Sequence, residues 1–130
     1  MAKTKWPKLP RYFVPLFHCA NVYLCTSWVE WEQACNHLGV ESGDNEMMAG
    51  ATQTYFNTES GENLYLIGVF NNDMATLVHE CAHVAFYICR DVGVTTRPGD
   101  ANETYCYMLD RMFTHFRPHI QEKQHVTEGE

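Results

Sequence analysis

Short segments rich in β-branched and aromatic residues predict a small sheet. Residues 17–25 combine valine, tyrosine, phenylalanine and cysteine side chains, a mixture typical of a strand. Farther along the chain, threonine and phenylalanine alternate with other residues in 51–57, and 63–70 is mostly aliphatic and aromatic. The residues between these two segments, 58–62, include a glycine and other turn-forming residues, so we expect the two segments to pair as a β-hairpin.

A first helix is predicted over 28–38 from hydrophobic residues spaced three and four positions apart. Ser27 and Glu30 have the spacing of a capping box at its start, and Gly39 is typical of the residue that follows a helix. The spacing places one stripe of side chains on a single face, formed by Trp28, Trp31, Cys35 and Leu38.

Two further helices are predicted in the second half of the chain. The helix over 74–91 is apolar on almost every side, which is typical of a helix at the centre of a domain, and Gly93 ends it. The last helix, 101–116, follows Asp100, a candidate N-cap residue. This order of elements predicts an α+β fold in which three helices pack on a short, mostly antiparallel sheet.

The length of 130 residues is enough for one hydrophobic core and predicts a single domain. We assign that domain to residues 12–118. A basic, proline-containing arm at 1–11 precedes it, and a polar tail at 119–130 follows it.

Charge is distributed unevenly along the chain, whose formal net charge is −7. Four of the nine basic residues lie in the first eleven positions, and no lysine or arginine occurs between Tyr12 and Cys89. Because an acidic body cannot neutralise phosphate groups, we expect no nucleic-acid partner. The same charge favours a peptide or protein partner that is basic.

The sequence predicts a cytoplasmic protein. No hydrophobic run has the length of a membrane span, and the prolines behind the basic N-terminus interrupt what would be the apolar region of a secretion signal. The six cysteines contain no C-x-x-C pair and, without a signal, are expected to be reduced thiols.

The sequence His79-Glu80-Cys81-Ala82-His83 has the pattern H-E-x-x-H within the central predicted helix. Residues at i and i+4 project from the same helix face, so two imidazoles at this spacing can bind one metal ion. Glu80 would then lie beside the ion and could accept a proton from a water whose pKa zinc lowers to about 7. The alternative is a pair of core histidines hydrogen-bonded to the backbone or to a carboxylate.

Catalytic zinc usually has three protein ligands, so a third ligand is needed beside the two histidines. Glu103, twenty residues after His83 on the last predicted helix, is the strongest candidate, because two helices joined by a short loop can lie antiparallel. Glu103 also has capping-box spacing from Asp100, which would occupy its carboxylate. The rival third ligands are Cys89, His115 and His119.

The block His79-Glu80-x-x-His83, followed after twenty residues by Asn102-Glu103, resembles the gluzincin branch of zinc metallopeptidases. The small size of the chain is similar to that of the minimal zincin-like proteins often encoded by bacteriophages. This resemblance implies a zincin-like fold, Zn²⁺ bound by His79, His83 and Glu103, and Glu80 as the general base. A phage-encoded protein would act in the host cytoplasm.

The resemblance is incomplete after Glu103. Where the family has an aspartate, this chain has Tyr107, and Asp110 lies one helical turn farther on. No later histidine is clearly placed to stabilise an oxyanion, so Tyr107 and Tyr105 are the candidates for that role. The segment 51–57 is a candidate edge strand that could receive an extended substrate by β-augmentation.

Two functions follow from these expectations. The first is a zinc-dependent peptidase, in which Glu80 activates water for hydrolysis of a peptide bond. The second is a catalytically silent zincin-like module, in which a structural zinc stabilises the fold and the fold binds a protein partner. No specificity pocket can be recognised from the sequence, so it does not identify the substrate.

Overall fold

A computed structural model of the chain describes residues 4–43, 48–99 and 102–120. Over these residues the chain forms four strands, three α-helices and two 3-10 turns, Leu16–His18 and Arg117–His119. In chain order the strands and α-helices are β1 (Arg11–Val14), β2 (Ala20–Cys25), α1 (Trp28–Leu38), β3 (Gly50–Phe56), β4 (Asn63–Val69), α2 (Met74–Val92) and α3 (Glu103–Phe116).

The four strands form one mixed sheet in the order β1-β2-β4-β3. β1 pairs antiparallel with β2, β3 pairs antiparallel with β4, and the central pair β2 and β4 is parallel. The predicted hairpin and the predicted α+β fold, with three helices and a mostly antiparallel sheet, are confirmed. In this order β1 and β3 are the two edge strands.

The helices cover both faces of the sheet. Because side chains alternate along a strand, neighbouring residues of β4 belong to different clusters. Ile67 belongs to the larger cluster, which contains residues of α2 and α3, among them Leu77 and Met112. Leu66 belongs to the smaller cluster, which contains Trp31 of α1. The sheet is therefore the middle layer, with α1 on one side and α2 and α3 on the other.

α1 has the bounds that its end signals predict. The Ser27 hydroxyl accepts a hydrogen bond from the Glu30 backbone N–H at 3.1 Å. The Glu30 carboxylate accepts from the Thr26 backbone N–H at 2.9 Å, one residue before the position that a capping box uses. At the other end, Gly39 has a φ of 74°, in the left-handed region that a side chain disfavours.

The strand predicted over 17–25 is wrong at its start. Phe17 and His18 have φ angles of 56° and 49° and belong to a 3-10 turn, so β2 begins only at Ala20. Phe17 is 72% exposed, although it looks like a strand residue by composition. β1, which pairs with β2 across this turn, was not predicted from the sequence.

The described part of the N-terminal arm lies against α1 and β2. Gln33 donates a hydrogen bond to the Lys5 carbonyl at 2.8 Å, and His37 Nδ1 lies 2.7 Å from the Thr4 carbonyl. The Trp6 ring packs edge-on against Tyr23, with 5.0 Å between ring centroids. At the other end of the chain, 121–130 of the predicted polar tail lies outside the described residues.

α2 ends at Gly93 as predicted but is not buried on every side. The Asp73 carboxylate accepts from the Ala75 backbone N–H at 2.9 Å, and Gly93 follows the helix with a φ of 80°. One face is buried, whereas Val78 and Phe86 on the opposite side are 40% and 46% exposed. One side of this helix, although apolar, therefore faces solvent.

α3 begins at Glu103, two residues later than predicted. The residue at its N-cap position is Asn102, whose side chain makes no capping hydrogen bond. Asp100, the predicted N-cap, lies outside the described residues.

Within 4–43, 48–99 and 102–120, no helix combines the length and apolar character needed to cross a membrane. All six cysteines are free. Burial raises the pKa of the Cys35 thiol to about 11 and that of the Cys81 thiol to about 12. These two thiols therefore stay protonated, and unreactive, at neutral pH.

Candidate metal centre

The two histidines of the H-E-x-x-H segment are both exposed and converge on one point beside α2. His79 Nε2 and His83 Nε2 are 3.2 Å apart, and the two rings are nearly perpendicular, at 81°. Two nitrogens bound to one tetrahedral zinc, each at about 2.0–2.1 Å, would be roughly 3.3 Å apart. The pair therefore fits two positions of a zinc site. The alternative of two core histidines is wrong, because neither side chain is buried.

Glu80 projects from a neighbouring face of α2 and is 7% exposed. The Thr52 hydroxyl, on edge strand β3, donates a hydrogen bond to Glu80 Oε1 at 2.5 Å. Helical rotation of about 100° per residue explains why Glu80 faces β3 while His79, one position earlier, faces solvent. The carboxylate is therefore held between the helix and the sheet edge, next to the histidine face.

Gly50, two residues before Thr52 on β3, provides the space that the carboxylate occupies. A β-carbon at position 50 would lie 3.1 Å from Glu80 Oε2, 2.6 Å from the Thr76 side chain and 2.7 Å from the Gly68 carbonyl oxygen. Because residues i and i+2 of a strand share a face, Gly50 and Thr52 form one surface toward α2. We call this surface, made of Gly50 and Thr52, the Glu80 seat.

The structure does not bring the predicted third ligand to the histidine pair. Glu103 is exposed at the first position of α3. Among the described residues, no group of three His, Cys, Asp or Glu side chains could hold a metal ion. The position of Glu103 also does not suit the predicted capping box, in which it would be the third residue of the helix.

The rival third ligands lie elsewhere. Cys89 is fully buried in the core between the helices and the sheet. His115 Nε2 lies 2.7 Å from the Arg11 carbonyl oxygen of β1, and His119 is exposed in the last 3-10 turn. None of the three therefore offers a better completion of the site.

The predicted oxyanion residues are in two different places. Tyr107 is 60% exposed and lines a groove between β1 and α3, with Tyr12 and Arg111 as neighbours. The Tyr105 ring packs on Phe86, with 4.4 Å between ring centroids. The predicted supporting carboxylate, Asp110, accepts a hydrogen bond from the Thr114 hydroxyl on the same helix at 3.4 Å.

Sequence reasoning missed Thr52, Gly50 and Tyr87. The Tyr87 ring stacks on His83, with 6.3 Å between centroids and 17° between planes. Its spacing of four residues from His83 was a usable signal, because it extends the histidine stripe by one turn. For Thr52 and Gly50 no local signal exists, since their role depends on how β3 packs against α2.

Comparison of the chain with models of known protein families, with curated proteins and with solved structures finds no match. Function is therefore inferred from the residues of the site.

Proposed function

We propose that this protein is a zinc-dependent hydrolase that cleaves peptide bonds, related to the small gluzincin-type zincins. The observation that carries the proposal is the geometry of the H-E-x-x-H segment. Two exposed imidazole nitrogens lie 3.2 Å apart, and the buried Glu80 carboxylate lies on the adjacent face of the same helix.

His79 and His83 would bind the metal, with Glu103 proposed as the third ligand. In such a site zinc supplies a Lewis acid that polarises the scissile carbonyl and favours ionisation of water. For Glu103 to bind, the start of α3 would have to move or re-orient toward the histidine pair.

Glu80 acts as the general base in this proposal. Its carboxylate accepts a proton from the attacking water and transfers that proton to the leaving amine nitrogen. The hydrogen bond from Thr52 fixes the carboxylate against β3, and the missing side chain at Gly50 leaves room for it. A fixed carboxylate stabilises the reactive arrangement better than one that must be ordered during each turnover.

The edge strand β3 is the proposed binding strand for substrate. Among the strands that the structure describes, β3 pairs only with β4, and it also carries the Glu80 seat. An extended peptide that paired with its outer edge would place its backbone beside the general base. The acidic body of the chain favours a basic peptide or protein substrate.

We also propose a reducing compartment, the cytoplasm, or the host cytoplasm if the protein is phage-encoded. Support comes from the six free cysteines, four of which are buried among apolar side chains.

Substitution Glu80→Gln tests the mechanism. The variant should bind zinc as the wild type does, because Glu80 is not a ligand, and should hydrolyse a mixture of fluorogenic peptides about 10²–10⁴-fold more slowly. Glu59→Gln, in the exposed hairpin turn, is the matched control and should keep full activity. Equal activity of Glu80→Gln and the wild type would refute the general-base role. A zinc-bound wild type that cleaves no peptide would instead favour the silent binding module.

A further inference from the structure

A groove between β1 and α3 lies apart from the candidate metal centre. It consists of two adjoining cavities of about 520 and 380 Å³, and Tyr12, Pro15, Tyr107 and Arg111 line both. None of His79, Glu80, His83 and Glu103 lines either cavity. The groove is thus a separate feature of the surface, at the sheet edge opposite to β3.

The two ends of the groove differ in chemistry. One end is apolar and is lined by Val14, Leu16 and Met108. The other end carries polar groups, Thr114 and His115. Arg111 lines both cavities and so links the two ends. A groove of two adjoining cavities with an apolar end, two tyrosines and a shared guanidinium suits a chain-like ligand better than a single small anion.

The charge of Arg111 is available to a ligand. Within the described part of the chain, the ion pair that forms is Arg90 with Asp91, so no carboxylate neutralises Arg111 there. Tyr12 and Arg111 line the same two cavities. Burial raises the pKa of the Tyr12 phenol, and the positive charge of Arg111 opposes that rise. The neighbouring Asp110 is exposed and accepts a hydrogen bond from Thr114.

The fold also gathers basic residues that are far apart in the sequence. His115 Nε2 lies 2.7 Å from the Arg11 carbonyl oxygen, which places the first residue of β1 beside the last turn of α3. In the sequence, Arg111 and Arg117 lie four residues before and two residues after His115. Arg111 is the arginine that lines the groove, whereas the segment from Tyr12 to Cys89 has no lysine or arginine.

We propose that this groove binds an extended acidic peptide segment of a partner protein. A glutamate or aspartate of that segment pairs with the Arg111 guanidinium, whose planar donors match a carboxylate in two parallel hydrogen bonds. An apolar side chain next to that acidic residue in the peptide packs between Tyr12 and Tyr107. It covers the Tyr107 ring, which is otherwise exposed to water. The partner chemistry is opposite to that of the basic substrate proposed for the β3 edge.

Fluorescence anisotropy with a labelled peptide of sequence Gly-Leu-Glu-Phe-Glu-Gly tests this proposal. The full-length chain carrying Glu80→Gln is used beside the wild type, so that cleavage of the probe cannot be mistaken for lack of binding. We expect saturable binding by both chains, a loss of at least tenfold in affinity for Arg111→Gln, and a similar loss when glutamine replaces both glutamates of the peptide. Arg90→Gln, which removes an arginine outside the groove, should bind as the wild type does.

Three results would overturn the proposal. The first is no saturable binding of the acidic peptide, and the second is equal affinity in Arg111→Gln and its parent chain. The third is displacement of the peptide by inorganic phosphate at the same concentration as unlabelled peptide, which would indicate a site for small anions only. Equal urea midpoints of Arg111→Gln and its parent would exclude unfolding as the cause of lost binding. The test does not depend on zinc or on hydrolysis, so it stands independently of the proposed enzymatic function.

Discussion

At the scale of single residues, one step along a helix separates exposed histidines from a buried carboxylate. His79 and His83 lie on the solvent side of α2, whereas Glu80 lies under β3 and is 7% exposed. A buried carboxylate is costly unless hydrogen bonds satisfy it, and Thr52 supplies one. This arrangement would allow the proposed metal ligands and the proposed base to act on one substrate from adjacent directions.

Cys35 provides a residue-scale prediction about pH. Burial, and secondarily the negative charge of Glu32, raises the pKa of its thiol from 9.0 to about 11 in the folded protein. Between these two values the unfolded chain has already lost the proton while the folded chain keeps it. Stability from this group is therefore fully present below pH 9 and is lost as the pH rises toward 11.

Urea unfolding from pH 8 to pH 11 checks this prediction. We expect the midpoint of the wild type to fall through this range, and Cys35→Ala to show a shallower fall. The fall should not vanish, because burial also raises the pKa of Cys81 and Tyr65. Cys106→Ala, at an exposed thiol, serves as the control and should keep the wild-type slope. If the urea midpoint falls equally steeply with pH in Cys35→Ala and in the wild type, the raised pKa of Cys35 does not contribute to the fall.

At the scale of secondary structure elements, local signals predicted α1 and the hairpin well. The serine before α1, the glycine after it and the turn between β3 and β4 each act within a few residues, so the sequence carries them directly. The strand predicted over 17–25 failed at Phe17, because its left-handed backbone depends on the pairing of β1 with β2. The exposed side of α2 was missed for a similar reason, since burial depends on what packs against a helix.

The contact between β3 and α2 supports an element-scale prediction. Thr52→Val removes the hydroxyl that donates to Glu80 and leaves the buried carboxylate without it, at a cost of about 1–3 kcal/mol in unfolding free energy. A double-mutant cycle with Glu80→Ala should show coupling. Thr52→Val should lower the unfolding free energy by less when Glu80 is already alanine, because the carboxylate is then absent. Thr52→Ser, which keeps the hydroxyl, should restore most of the stability.

Thr54→Val is the matched control for this cycle, since it makes the same change two residues along β3. It should show no coupling with Glu80→Ala. If Thr52→Val and Glu80→Ala are additive within error, the Thr52 hydrogen bond does not hold the carboxylate. With an active enzyme, Thr52→Val should also lower kcat about ten- to hundredfold and leave KM unchanged, as expected for a misplaced base.

At the scale of the whole molecule, the two edge strands separate two proposed activities. The β3 edge carries the Glu80 seat, and the β1 edge carries the groove with Arg111. The sequence indicated the uneven charge but could not place Arg11 beside α3, because that contact joins the two ends of the chain. The same limit applies to Glu103, whose distance from the histidine pair depends on how α3 packs on α2.

Zinc content of the purified chain tests whether α2 carries a zinc site, on which the proposed activity depends. After metal removal and dialysis against a small excess of zinc, elemental analysis should find one zinc per chain in the wild type and in Glu80→Gln. His83→Ala should lose the metal, and Glu103→Ala should bind it more weakly, since each substitution removes a proposed ligand. A wild-type chain without zinc, or a His83→Ala chain that retains one full equivalent, would contradict the account.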